Sequence, residues 1–213
     1  PVDFPSPAEN SPQAYAEAII QALNQGGLDY VLPLPEALQY GGIVDLLRDS
    51  GYGDRIAGLE SEAAFIEGDK AECKKLCWQA GIPVADDWEV VDARSFSRVF
   101  AVCLDFLHRF GGVVLKYPYS ASGKGARIIL DSWEIKEVYD TLLADYKKDY
   151  RKMFHNRPWP LLIESRMSGV EISFTILVDA EGNFRVLPTS LDYPERYPGT
   201  AGKENPITGG MGS

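Results

Sequence analysis

The sequence predicts an α/β segment up to about residue 60 and an α+β segment after it. Three observations carry that expectation. Helix-like and short apolar strand-like stretches alternate through the first part. From about Ser61 the texture changes to two short helices around Gly68. Beyond Trp88, apolar runs of four to nine residues follow one another, punctuated by Gly and Pro.

The elements follow in order. Residues 12–25 read as an amphipathic helix, with Ser11 as N-cap, Pro12 in the first turn and Gly26-Gly27 as the stop. Tyr30–Leu34 reads as a strand, 36–49 as a helix closed by Gly51, and Arg55–Gly58 as a strand, which suggests a parallel sheet. Helices are predicted over about 61–67 and 69–80, the second ended by Gly81-Ile82-Pro83. Trp88–Val91, Val113–Lys116 and Ala126–Leu130 read as strands, with a helix over 95–110 closed by Gly111-Gly112. Ser132 is predicted to cap a helix reaching about Tyr146, and 147–160 to form a charged connection. Leu161–Glu164, Glu171–Asp179 and Phe184–Pro188 read as strands, and 191–213, rich in Pro, Gly and Thr, as a loop.

The chain has 213 residues, 45% hydrophobic and 24% charged, which is ordinary for a globular protein with a sizeable core. Its net charge of −10 is uneven: residues 1–67 hold eleven acids and two bases, a net of −9, leaving the rest at −1. An acidic chain with no Lys/Arg cluster argues against nucleic acid or an anionic membrane as partner. Three cysteines, Cys73, Cys77 and Cys103, and only two histidines argue against a disulfide framework or a zinc site, and read as buried reduced thiols. No 18-residue apolar run and no signal peptide are visible, so a cytoplasmic location is the expectation. The chain opens on Pro1 and stops at Gly212-Ser213, so it reads as a fragment.

Four constellations can carry chemistry. In the first, Lys116 ends an apolar strand and Ser120-Ala121-Ser122-Gly123-Lys124-Gly125-Ala126 follows. Glycines let backbone N–H groups approach phosphate oxygens, and the Ser hydroxyls and Lys124 add contacts. It is not a Walker A loop, since Gly125 replaces the Ser/Thr and a strand follows rather than a helix. The residues leave two readings open, a hairpin over a nucleotide and a plain Gly/Ser hairpin. In the second, Glu164 ends one strand and Glu171 opens the next, with Met167 and Gly169 between. Such a hinge can present backbone groups to an adenine edge and a carboxylate to ribose, or it can be a surface turn with solvated acids. The third is Glu67-Gly68-Asp69-Lys70 at a helix start, where the helix N-terminus favours anions and Lys70 can reach a phosphate, or can simply be solvated. The fourth is Thr208-Gly209-Gly210-Met211-Gly212, an exposed N–H cradle or a flexible tail.

Together, in this order and spacing, these motifs resemble those of glycinamide ribonucleotide synthetase (phosphoribosylamine–glycine ligase), an ATP-grasp family, over about Asp29 to Gly212. Leu34-Pro35-Glu36, Glu67–Lys70, Gly81-Ile82-Pro83, Lys116, the Ser122–Gly125 turn, Glu164, Gly169-Val170-Glu171 and Thr208–Gly212 carry the resemblance. It implies a Rossmann-like pre-ATP-grasp part over 1–62 and a partial ATP-grasp domain over 63–213, with an ATP-binding subdomain at about 113–190. It implies that Lys70 and Lys116 contact ATP phosphates beneath Ser120, Ser122, Gly123, Lys124 and Gly125. Glu164 and the Met167 backbone would hold adenine, and Glu171 the ribose. Pro35, Glu36, Asp192, Thr208, Gly209, Gly210 and Met211 would line the substrate side. The partners implied are small molecules: ATP with Mg²⁺ (or Mn²⁺), an amino acid and a phosphorylated amine.

The chain departs from the family pattern on the substrate side. Asp192-Tyr193-Pro194-Glu195-Arg196 stands where the family has Asp-His-Lys-Arg, Pro206-Ile207-Thr208 where it has Pro-Asn-Thr, and Leu34 where it has Gly before Pro-Glu. The family's metal-binding Glu and Asn are expected beyond residue 213, so no metal ligand is expected within the chain, and the fragment alone is expected to be inactive. The alternatives are an ATP-grasp ligase for another carboxylate/amine pair, and a degenerate non-catalytic nucleotide-binding module.

Overall fold

The computed structural model describes residues 11–26, 28–33, 37–119, 125–153, 159–195 and 207–211. They form two compact units, Pro1–Asp69 and Lys70–Ser213.

In the first unit, α1 (Pro12–Asn24) starts as its sequence dictates. The Ser11 hydroxyl accepts from the Ala14 N–H at 3.1 Å, and Pro12 occupies the first turn. Ala16, Ile19 and Leu23 from α1 pack against Val31, Ile43, Val44, Leu47 and Ile56. The helix expected over 36–49 is instead broken into α2 (Ala37–Tyr40) and α3 (Ile43–Leu47), followed by a π turn at Arg48–Tyr52. Gly41-Gly42 is the cause: glycine is a poor helix former, and Gly42 sits at φ +84°, outside the helical region. The two expected strands reduce to a single parallel bridge between Val31 and Ile56, so no parallel sheet forms among the described residues. Then α4 (Ser61–Gly68) closes the unit.

The second unit opens with α5 (Lys70–Gln79), and its main sheet follows. Strands β1 (Trp88–Asp92), β2 (Val113–Lys116), β3 (Ala126–Ile129) and β4 (Pro160–Ser165) pair in the order β1-β4-β2-β3, all antiparallel. Helix α6 (Phe96–Phe110) buries Val99, Val102, Cys103 and Phe106, the i, i+3, i+4, i+7 stripe of an amphipathic helix. Those residues join Val113, Leu115, Leu161, Ile163 and Ile129 in one core, which α7 (Ile135–Met153) completes with Ile135, Tyr139 and Leu142. Burying a large aliphatic side chain here contributes roughly 1.5–3 kcal/mol each.

Helix α7 differs from expectation at both ends. Its entry is a 3₁₀ turn (Ser132–Glu134) whose N-cap is Asp131, not Ser132, with the Glu134 carboxylate accepting from the Asp131 N–H at 3.0 Å. It continues to Met153, seven residues past Tyr146, so residues 147–153 of the expected connection are helical. The single strand expected over 171–179 is two: β5 (Glu171–Ser173) and β6 (Ile176–Val178), which join different partners. Strand β7 (Phe184–Val186) pairs with β6. The tail expected as loop carries β8 (Ser190–Glu195) and β9 (Ile207–Met211), forming a sheet in the order β5-β8-β9. Its register shifts between Tyr193 and Glu195, at Pro194, which has no N–H for a ladder.

Candidate functional site

Strand β4 is buried along both faces. Leu161 and Ile163 point into the core against α6, while Leu162 and Glu164 occupy the opposite face. Glu164 is therefore not a solvated turn acid: it is 2% exposed. An ionised carboxylate so placed needs opposite charge. Lys116, at the end of the neighbouring β2, puts its Nζ 2.5 Å from Oε2. Lys74, on the second turn of α5, puts its Nζ 2.7 Å from Oε1. This second contact is an ion pair without hydrogen-bond angles, so Oε1 has no hydrogen-bond donor among the described residues. Burial pushes the Glu164 carboxyl pKa up, but the Lys116 charge and the Lys74 ammonium outweigh it and hold it below the ordinary 4.5.

The geometry brings Lys116 and Glu164 into direct contact and adds Lys74, which the sequence reading does not single out. In the sequence nothing separates Lys74 from Lys75 beside it on the same polar helix. Lys70 itself opens α5, its backbone N–H donating to the Pro118 carbonyl at 3.1 Å, which ties the start of the helix to the segment leaving β2.

Ser120, Ser122, Gly123 and Lys124 lie outside the described residues. Gly125 is buried, and its carbonyl accepts from the Tyr117 N–H at 2.7 Å, which closes the base of a β2–β3 hairpin around that run. Met167 follows β4 and is 64% exposed; Gly169 beyond it sits at φ +140°, a conformation glycine allows. Glu171 opens β5, exposed and directly opposite Asp192 on β8. Asp192 accepts from the Ser173 hydroxyl at 2.5 Å. Thr208, Gly209, Gly210 and Met211 lie on β9, with Met211 opposite Tyr193. Pro35 and Glu36 lie outside the described residues.

None of the three cysteines forms a disulfide; Cys103 is buried, whereas Cys73 and Cys77 are half-buried on α5. Among the described residues no three His, Cys, Asp or Glu side chains cluster as metal ligands, and no helix is long and apolar enough to cross a membrane.

Comparison with known proteins bears on the same elements. The family model described as "Phosphoribosylglycinamide synthetase, ATP-grasp (A) domain" matches residues 68–213. A phosphoribosylamine–glycine ligase from Rhodopirellula baltica is 32% identical over 197 residues, covering 92% of this chain and 42% of the relative. The protein of that name from Thermococcus kodakarensis is 32% identical over 190 residues, covering 88% of this chain and 39% of the relative. The chain thus spans about two fifths of the length of these curated relatives. Among solved structures, the biotin carboxylase from Campylobacter jejuni superposes with a TM-score of 0.62 at 18% identity, covering 86% of this chain and 40% of that one, a likeness of fold. The paired lysines on a buried β4 carboxylate, the β2–β3 hairpin and the β5-β8-β9 sheet all lie within the matched residues, and the chain belongs to the phosphoribosylglycinamide synthetase ATP-grasp (A) domain family.

Proposed function

We propose that this chain is the ATP-binding portion of an ATP-dependent carboxylate–amine ligase, a phosphoribosylamine–glycine ligase of purine biosynthesis. The observation that carries this reading is the buried Lys74–Glu164–Lys116 cluster, which holds two ammonium groups on one carboxylate and so keeps one positive charge in excess. A polyphosphate supplies the missing negative charge.

In this reading Lys116 and Lys70 meet ATP phosphates, and the run from Ser120 to Gly125 closes over them with its backbone N–H groups. Glu164 and the Met167 backbone face the adenine edge and Glu171 the ribose. Asp192, directly across from Glu171, together with Pro35, Glu36 and Thr208–Met211, lines the carboxylate and amine side; the cross-strand pairing of Glu171 and Asp192 supports that adjacency. Residues 1–62 form the partial pre-ATP-grasp domain and 63–213 the partial ATP-grasp domain. Magnesium or manganese would neutralise phosphate charge when bound. The small-molecule substrates, the cysteines without disulfides and the acidic charge favour the cytoplasm, away from nucleic acid and membrane.

The reaction has two balanced steps. A glycine carboxylate oxygen attacks the γ-phosphorus as the bond to the β-phosphate oxygen breaks, giving an acyl phosphate and ADP. The amine of phosphoribosylamine then attacks the acyl carbon, phosphate leaves, and the amine loses its proton. The lysines supply positioning and charge neutralisation rather than covalent chemistry.

One observation favours a second reading within the same reaction class, a ligase for another carboxylate/amine pair: the register shift at Tyr193–Glu195 falls in the segment that departs from the family's Asp-His-Lys-Arg. ATP-dependent phosphate release by the intact gene product, screened over amines and amino acids, decides. Release with phosphoribosylamine and glycine alone supports the first reading, and release with another pair the second. A silent screen despite measurable ATP binding would point to a non-catalytic nucleotide-binding module.

A further inference from the structure

Glu164 has a second partner, Lys74, to which the nucleotide-site reading gives a charge but no role of its own. Lys116 leaves β2 beside the glycine-rich run and its side chain is 28% exposed; Lys74 stands on α5 with its side chain 14% exposed. The more accessible of the two lysines is thus the one at the mouth of the hairpin, and the more enclosed one holds Oε1. Across the strands the residues facing Glu164 are Val114 on β2 and Trp88 on β1, neither of which is charged. Lys116 from β2 and Lys74 from α5 are the charged groups that bear on its titration.

A shift of Lys116 toward a phosphate takes one counter-charge from a carboxylate that is 2% exposed. A buried carboxylate without a counter-charge takes up a proton instead of staying ionised. With Lys74 in place at 2.7 Å, the carboxylate keeps a partner throughout.

We propose that Lys74 is a positioning residue that retains Glu164 in its ionised form and so frees Lys116 to engage the anionic ligand of the site. This rests on the nucleotide reading above. Lys74 does not touch the ligand; it acts through Glu164. Its removal makes nucleotide binding proton-linked. With Lys74 replaced by a neutral residue, Lys116 can leave only as Glu164 takes up a proton, so affinity falls as pH rises.

Calorimetric titration of the intact protein with Mg-ATP, from about pH 6 to about pH 8.5 and in buffers of different ionisation enthalpy, tests this. Relative to the wild type, Lys74→Met is expected to take up close to one additional proton per nucleotide bound, its Kd rising toward about tenfold per pH unit. Lys74→Gln serves equally if Lys74→Met does not fold. Lys74→Arg, which keeps the charge, is expected to restore the wild-type proton count and pH slope. A neutral Lys74 variant with wild-type proton uptake and slope overturns the proposal, as does proton uptake in Lys74→Arg. Absence of Mg-ATP binding by the wild type overturns the nucleotide reading and this inference with it. Binding that Lys116→Met weakens, while the neutral Lys74 variants show no added proton, overturns this inference alone.

Discussion

Lys116 and Glu164 are diagonal partners on adjacent antiparallel strands. Val114 lies directly across from Glu164, and Lys116 is two residues further along β2, on the same face of the sheet. That diagonal is about 7–8 Å between backbones, within reach of a lysine and a glutamate side chain. The ion pair is thus a consequence of register: a one-residue slip would turn one partner to the opposite face.

Glu164→Gln should therefore destabilise the protein. It removes the charge both lysines share and leaves two ammonium groups against a buried amide, a cost of about 3 kcal/mol. The sign with pH follows from the direction of the shift. The native carboxyl lies below its ordinary 4.5, so its contribution is complete above that value and is lost as pH falls through the lowered native one. Urea denaturation of wild type and variant should show the full difference at pH 7 and a shrinking one below pH 4.5.

Cys103 should be silent to thiol reagents in the folded protein. Burial in the α6 core pushes its thiol up to about 12, so almost no thiolate exists at pH 8. Labelling with Ellman's reagent should modify only Cys73 and Cys77 under native conditions and all three cysteines in denaturant.

How much of this was legible beforehand depends on whether the signal was local. The Ser11-Pro12 start of α1, the Gly111 stop of α6 and the strand–glycine run–strand pattern after Lys116 are local chemistry, and each was readable. Strands β8 and β9 were not. Their pairing joins segments whose own composition reads as loop, and only the partners opposite Asp192 and Tyr193 make them strands. The sequence singles out Glu164, but as one of two strand-end acids of equal standing. Only the fold distinguishes it, buried between β1 and β2, from Glu171, which lies exposed on β5. Lys74 was passed over because a lysine inside a polar helix resembles any solvated one until α5 is placed against β4.

Gly58→Ala should destabilise the first unit. A Cβ there would meet Pro33 Cγ and Val44 Cγ2, each at 2.9 Å, and the Gln39 side-chain oxygen at 3.2 Å. Val44 is fully buried and Pro33 nearly so, and neither can move aside freely. A cost of about 1–3 kcal/mol is expected, read as an earlier midpoint in chemical denaturation.

Tyr139→Phe should cost about 1 kcal/mol. The phenol donates to the Ala93 carbonyl at 2.6 Å inside the core, linking α7 to the turn after β1. The ring's packing against Phe96 survives the change, so the loss in thermal or chemical denaturation reports the hydrogen bond alone.

The central claim is that Lys116 on its buried carboxylate forms the cationic floor of an ATP site. Titration of the intact protein with Mg-ATP, compared with Lys116→Ala, tests it most directly. At least a tenfold rise in Kd is expected, about 1.4 kcal/mol for the loss of one charge-assisted phosphate contact. An unchanged Kd in a folded Lys116→Ala protein would contradict the assignment.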